Sequence, residues 1–473
     1  MILVVSIDIL VVGILLWLGL RNGIARALPA GAFFLMLFPE ESKILIPGLF
    51  DVTTQRIVVV VLLALAASSK KSFRAARTAL PLRWHIFLLA IWWAVSTAHS
   101  VEFTVSFKAL ISEMLDYVAV YYLFAKYVRD MKTAVAVLFA IVASITFSSL
   151  LALPEAYAQW TVTSLYPSAD HYFAISGDLY VDLARGVRVE STFGHPILFG
   201  SALAMTIPIA FYLLNSAQRA GTKAFLWGSI FIHFWSLYKT GSRGPWMALA
   251  LSLIILFVFS NRGTRLKLAA VILMAGFVLG VRPGVWETLL EDYSATLDSD
   301  SYQGGSYQYR YALYKLALHQ LGRGGLRALW GYGPESFYYL NLTDEIDGQD
   351  MAFSSCDSSF AALLIETGYV GFLIVVLLLY SALIRTARAY WRLPRATGQI
   401  LIPLIAALCA FTFMMTNVAI FRWGQQAVMF WIVMALALTS PNLIVKQNAT
   451  HKKLQGDLNA RAYNAAQSIR SAD

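Results

Sequence analysis

Residues 399–441 read QILIPLIAALCAFTFMMTNVAIFRWGQQAVMFWIVMALALTSP. Two apolar blocks, 399–420 and 424–441, are separated by three residues. Each is close to the roughly 20 residues that cross a bilayer as a helix. The pattern recurs upstream at about 1–20, 28–50, 55–69, 84–99, 109–128, 132–153, 193–214, 224–239, 245–260, 266–281 and 359–384. Pro39, Glu40, Glu41 and Lys43 interrupt the second block, so it is expected as a broken or re-entrant segment and the span count as 12 or 13. Over 473 residues, 58% are hydrophobic and only 14% charged. Soluble globular chains carry about 25% charged residues, which excludes a water-soluble enzyme. The sequence specifies an all-α polytopic membrane protein.

The net charge of +10 does not point to nucleic acid, because the positive residues sit in short loops between apolar blocks. Lys70, Lys71, Arg74, Arg77 and Arg83 form one such loop, and Lys126, Arg129 and Lys132 another. Arg219 with Lys223, Arg262 with Arg265 and Lys267, and Arg385 with Arg388, Arg392 and Arg395 form three more. They recur at every second loop, so these loops are assigned to the cytoplasmic side of the membrane. The expected organisation is a transmembrane bundle over 1–281 with an outer loop at 154–192, and a large outer loop at 282–358. Transmembrane helices over 359–442 and a loosely ordered cytoplasmic tail over 443–473 complete it. Met1 to Leu20 lacks a basic start and a small-residue cleavage site and reads as a retained span. The two cysteines, Cys356 and Cys409, have no metal or redox spacing.

The large outer loop reverses the charge: Arg282, Arg310, Lys315, Arg323 and Arg327 face eleven Asp and Glu. Within it, Tyr307–Gln320 reads as an amphipathic helix with Leu313, Leu316 and Ala317 on its apolar side and Arg310 in its first turn. That arginine gains nothing from the helix dipole there. It serves either a lipid headgroup contact or a ligand. Arg243 lies in Lys239-Thr-Gly-Ser-Arg-Gly-Pro-Trp246, a short outer turn with Pro245 at the start of the next helix. It either faces a cavity or snorkels to lipid phosphates, and Lys239 shares those options. Arg185 and Arg188 precede Ser191-Thr-Phe-Gly-His-Pro196, in which His195 is either a structural hydrogen bonder or a base and Ser191 and Thr192 are simple helix caps. Asp357, in Ser354-Ser-Cys-Asp-Ser-Ser359, is placed to cap the next span or to take a proton from an acceptor hydroxyl. Glu366, inside that span, either pairs with a buried arginine or titrates. The single Asp298-Ser-Asp300 pattern is ordinary in so acidic a loop, and no metal site or cofactor is expected. Arginines gathered at one face without metal ligands suit recognition of phosphate, and a diphosphate leaving group needs such a clamp.

These residues resemble the O-antigen ligase and polymerase superfamily of bacterial envelope glycosyltransferases. The segments that carry the resemblance are Ser191-Thr-Phe-Gly-His-Pro196, Thr240-Gly-Ser-Arg-Gly-Pro-Trp246, Arg310 with Tyr314-Lys315, Trp330-Gly-Tyr-Gly-Pro-Glu-Ser-Phe337, and Asp357 through Glu366 to Gly371. The resemblance implies a GT-C-like helical fold and an undecaprenyl-diphosphate-linked glycan donor. It implies metal-independent, inverting transfer at the periplasmic face. It assigns diphosphate binding to Arg243 and Arg310 and the turn after the loop helix to Gly331 and Gly333. Ligases of the family have a histidine where Asp357 stands, and usually Asn where Ser358 stands. The carboxylate resembles the exopolysaccharide polymerase branch, in which the acceptor is a second lipid-linked sugar. Expected partners are the lipid-linked oligosaccharides, membrane lipids, a chain-length regulator and a flippase, with no nucleic acid. A ligase acting on lipid A core or a protein is the alternative within the class. A lipid-linked glycan transporter is the alternative outside it, although no internal repeat supports one.

Overall fold

The computed structural model describes residues 2–44, 51–68, 80–166, 179–182, 186–281, 302–346, 349–353 and 355–470. Lys70, Lys71, Arg74, Arg77, Arg185, Arg282, Asp298, Asp300 and Ser354 lie outside them. The chain is a helical bundle, and its strands are two- to four-residue hairpin pieces in the connections. The helices longer than one turn are α1 (Ile2–Asn22), α2 (Ile24–Leu37), α3 (Thr54–Ser68) and α4 (Arg83–Ala98). They continue with α5 (Phe103–Glu113), a π-helical turn (Met114–Ala119), α6 (Val120–Tyr127), α7 (Met131–Ala158) and α8 (Pro196–Ser216). Next come α9 (Ala220–Lys239), α10 (Arg243–Phe259), α11 (Arg262–Val281) and α12 (Tyr302–Arg323). The last three are α13 (Ser359–Arg392), α14 (Leu401–Met414) and α15 (Gly424–Arg470).

Among the described residues, five helices are long and apolar enough to cross a membrane by themselves: α1, α7, α8, α13 and the first part of α15. Burial separates their roles. Only 28% of the apolar stretch of α1 is covered by protein, against 89% of that of α8, so α1 offers its leucines to lipid while α8 is central. From Ala427 to Ala437, α15 is buried on every side. Hydroxyls in this apolar interior bond back within their own helices, as Thr206 to Ala202 O and Thr439 to Ala435 O do. Close approach follows small residues: a Cβ on Gly200 of α8 would lie 2.7 Å from Pro245 of α10.

Two expectations are corrected, and a third holds as far as the described residues reach. The second apolar block is interrupted where expected: its helix α2 ends at Leu37 because Pro39 cannot continue it, a short pairing of Lys43–Ile44 with Val52–Thr53 follows, and residues 45–50 lie outside the described ones. Thr54 donates to Asp8 of α1 at 2.8 Å, which puts the N-terminal part of α1 at the same end of the bundle as this connection. The polar tail from residue 443 is not loose. It prolongs α15 to Arg470, as a segment with one glycine and no proline after Pro441 permits. The loop helix is longer than Tyr307–Gln320, so Arg310 lies beyond its first turn. Leu313, Leu316, Ala317 and Leu321 of that helix pack on Ala361, Ala362 and Ile365 of α13, forming a second hydrophobic cluster beside the main core.

Candidate functional site

The site is organised around a break in α13. At Gly368 the backbone leaves helical geometry with φ 67°. The Trp330–Phe337 segment docks into the break: Tyr332 N–H donates to Ile365 O at 2.9 Å and Gly333 N–H to Glu366 O at 2.9 Å. Ser96 Oγ donates to the same Glu366 carbonyl at 2.7 Å, and Trp92 Nε1 to Thr367 O at 2.9 Å. The carbonyls freed by the kink thus find donors from α4 and the loop. A Cβ on Gly331 would stand 2.4 Å from the Glu366 carbonyl group, and one on Gly368 2.4 Å from Leu329 O. The expected turn role of Gly331 and Gly333 is therefore one of close backbone contact with α13, with φ of 77° and 107°.

The break aims Glu366 at Arg422, which joins the two carboxylates of Glu113 and Glu366. Its Nη1 donates to Glu113 Oε1 at 2.6 Å and its Nη2 contacts Glu366 Oε2. Of the two options for Glu366, pairing with a buried arginine is the one found. These three groups line a cavity of about 880 Å³, within the usual range of small-molecule and cofactor pockets. A second pair on its wall is Arg56, bonded through Nη2 to Asp116 at 3.0 Å and through Nη1 to the carbonyl of Asp51. Lys43 and Asp51 make a third pair at 2.9 Å. Phe337, Tyr338, Tyr339 and Trp423 add aromatic faces. Glu40 also lines the cavity, and burial together with Glu41 and Asp116 pushes its pKa up to about 7.

Beside this cavity, α12 meets the start of α13. Asp357 is not the helix cap. Ser358 is, its Oγ accepting from Ala361 N at 3.4 Å, while Tyr314 and Ser358 share a hydroxyl–hydroxyl bond of 2.7 Å. The cap falls one residue later than expected, which frees Asp357 for Arg310. The Arg310 Nη2 lies 3.6 Å from Asp357 Oδ2, and Arg310 Nε donates to Asn417 O at 3.1 Å. Burial raises the Asp357 carboxyl above its ordinary range, and Arg310 opposes that shift. Lys315 lies over the Tyr311 ring at 4.7 Å.

The outer turn holding Arg243 is fixed by Arg188. Buried Arg188 donates from Nε to Thr240 O at 2.8 Å and from Nη2 to Ser242 Oγ at 2.7 Å, and it stacks on Tyr180. Its place is inside the turn, and that presents Arg243 as the first residue of α10. Pro245 is two residues further in than expected, where it packs on Gly200. Lys239 lies over the Tyr157 ring at 5.4 Å. Ser191 and Thr192 do not cap α8. Ser191 Oγ donates to Ser148 O and Thr192 Oγ bonds Ser148 Oγ. The cap is His195, whose Nδ1 accepts from Ile197 N at 3.1 Å. Burial, and then Arg188, push its pKa down to about 3, so it is a neutral hydrogen bonder at pH 7.

The turn Met415–Arg422 connects these parts. Its Asn417 carbonyl receives Arg310, its Met415 and Val418 carbonyls receive Ser359 N–H, and its last residue is Arg422. A Cβ on Gly244, next to Arg243, would lie 3.4 Å from Met414 and 3.8 Å from Asn417. Arg310 thus holds this turn and Gly244, next to Arg243, packs beside it, while Arg188 braces the Thr240–Ser242 turn. Arg422, Glu113, Arg56, Asp116 and Asn417 belong to no motif of the sequence and emerge as a group only in the fold. Arg56, Glu113 and Asp116, charged residues within apolar blocks, carried a usable signal.

Residues 228–376 match the family profile described as O-antigen ligase. That span contains Arg243, Arg310, Gly331, Gly333, Asp357 and Glu366. No curated protein matches the chain.

Proposed function

Because the chain belongs, through residues 228–376, to the O-antigen ligase and polymerase superfamily, we propose that it is a polysaccharide polymerase. It transfers a glycan from a lipid diphosphate, in bacteria undecaprenyl diphosphate, to a sugar hydroxyl on a second lipid-linked unit. The observation that carries this reading is the Arg310–Asp357 contact beside a large cavity that includes charged side chains in its wall, with Arg243 bordering the same turn. The acceptor oxygen attacks the anomeric carbon as the bond to the diphosphate breaks, and the hydroxyl proton passes to Asp357. Charge accumulates on the departing diphosphate, and the two guanidinium groups meet it with planar, bidentate donors, so the step asks for no metal. Attack opposite the leaving group inverts the anomeric centre. The Lys- and Arg-rich connections lie in alternate loops from those that build the site, which supports a periplasmic reaction in the inner membrane.

Transfer to lipid A core or to a protein is the second reading, favoured by the ligase description of the matching family. Asp357 in place of the histidine of ligases favours the polymerase. Purified protein reconstituted with a lipid-linked repeat unit decides between them: a ladder of longer lipid-linked products supports the polymerase. Transfer that occurs only when lipid A core or an acceptor protein is added supports the ligase.

A further inference from the structure

Among the described residues that line the 880 Å³ cavity, neither Arg243 nor Arg310 is present, while Cys356 and Ser359, which bracket Asp357 and Ser358, are. The cavity therefore adjoins the proposed reacting groups without holding the proposed diphosphate clamp. We infer that it is a sugar subsite that accepts uncharged glycan units and turns away anionic ones. The inference rests on the transfer reading for the presence of a glycan at this end of the bundle.

Two features of the wall carry it. Tyr338, Tyr339 and Trp423 present flat apolar faces with polar edges, the surfaces on which the C–H faces of a sugar ring stack. The charges come mostly in pairs: Arg422 with Glu113 and Glu366, Arg56 with Asp116, and Lys43 with Asp51. A guanidinium engaged by carboxylates keeps N–H groups for hydroxyls, since it has five donors. Its positive charge is already answered, so it has little left for a phosphate or a sugar carboxylate.

The surplus is acidic. Among the described residues, six carboxylates line the cavity against four basic side chains, Glu40 and Glu335 being in none of those three pairs and Lys108 the remaining described cation. An anionic sugar placed here meets like charge in a part-buried wall, the arrangement by which interfaces reject a wrong partner. The same surplus makes the cavity unsuited to a diphosphate and leaves that group to Arg243 and Arg310 outside it.

The test is direct binding, without transfer. Full-length protein in lipid nanodiscs is titrated, by saturation-transfer NMR, with a neutral hexose tetrasaccharide and with the same tetrasaccharide oxidised at C6 to uronates. The neutral form is expected to bind at least about tenfold more tightly. Glu335→Gln is expected to narrow the difference and Glu335→Lys to reverse it. Equal binding, tighter binding of the uronate, binding of neither sugar, or a difference that ignores Glu335 overturns the inference. Transfer from a lipid-linked donor is measured on the same preparation. Transfer accompanied by equal binding of the two sugars removes the cavity inference alone, whereas neutral-sugar binding without transfer removes the transfer reading.

Discussion

Arg310 holds Asp357 and the Asn417 carbonyl at once, Nη2 standing 3.6 Å from the carboxylate and Nε 3.1 Å from the oxygen. The contact with Asp357 is long for a charge-assisted bond, so it is a loose hold. Under the proposed function, a diphosphate arriving at Arg310 would compete for that cation and release the carboxylate for the acceptor hydroxyl.

This relation makes transfer depend on pH in a stated direction. The Asp357 carboxyl is raised by burial, and a base works only when ionised, so the rate falls as the pH drops through that raised value. The rate–pH profile of the wild type should show an acidic limb above the ordinary carboxylate range. Asp357→Asn should lose the limb and about 10²–10⁴ in rate. An unchanged profile in that variant would leave Asp357 as a counter-ion only.

Gly331 and Gly368 should each refuse alanine. Both have positive φ, and the added carbon would stand 2.4 Å from backbone atoms that cannot swing aside. Strained backbone alone costs about 1–3 kcal/mol, to which the undocked loop adds. Thermal unfolding in detergent should show both variants well below the wild type. Gly322→Ala, where nothing lies within 4 Å of the new carbon, should match the wild type.

Arg422, the last residue of the turn before α15, ties that turn to α5 and α13 through Glu113 and Glu366. Removing it leaves two buried carboxylates facing each other. Arg422→Ala should destabilise by about 3–5 kcal/mol, as loss of one partner from a buried pair does. Adding Glu113→Gln and Glu366→Gln should restore part of the loss in the same unfolding measurement, because the stranded charges are gone. Equal unfolding temperatures for wild type and Arg422→Ala would show that the cluster does not hold the helices.

His195→Ala should lose the helix cap, worth about 1 kcal/mol, and little transfer activity. Since the imidazole is already neutral with a pKa near 3, the variant should leave the rate–pH profile between pH 5 and 8 unmoved. A profile that shifts in this variant would return His195 to the list of proton-transfer groups.

The helical membrane bundle was legible because about 20 apolar residues in a row have few other fates, and five such helices stand among the described residues. Pairing was not. Arg422 stands in a three-residue gap between two apolar blocks, and Glu113 is 309 positions away, so only the packed bundle brings them together. The caps were missed by small shifts: Ser358 and His195 took the role expected of Asp357, Ser191 and Thr192, because the bend of the entering chain selects which side chain reaches the free N–H groups. The two bonds from Arg188 to the Thr240–Ser242 turn join segments distant in the chain and were not legible either.

The central claim is that Arg310 and Arg243 act as planar clamps on a diphosphate leaving group. The most direct test measures transfer by purified full-length protein from an undecaprenyl-diphosphate-linked repeat unit, for wild type, Arg310→Lys and Arg243→Lys. Lysine keeps the charge but not the bidentate fork, so both variants should fold as the wild type does and lose about 10²–10³ in rate. A full product ladder from both variants, or no product from the wild type, would contradict the account.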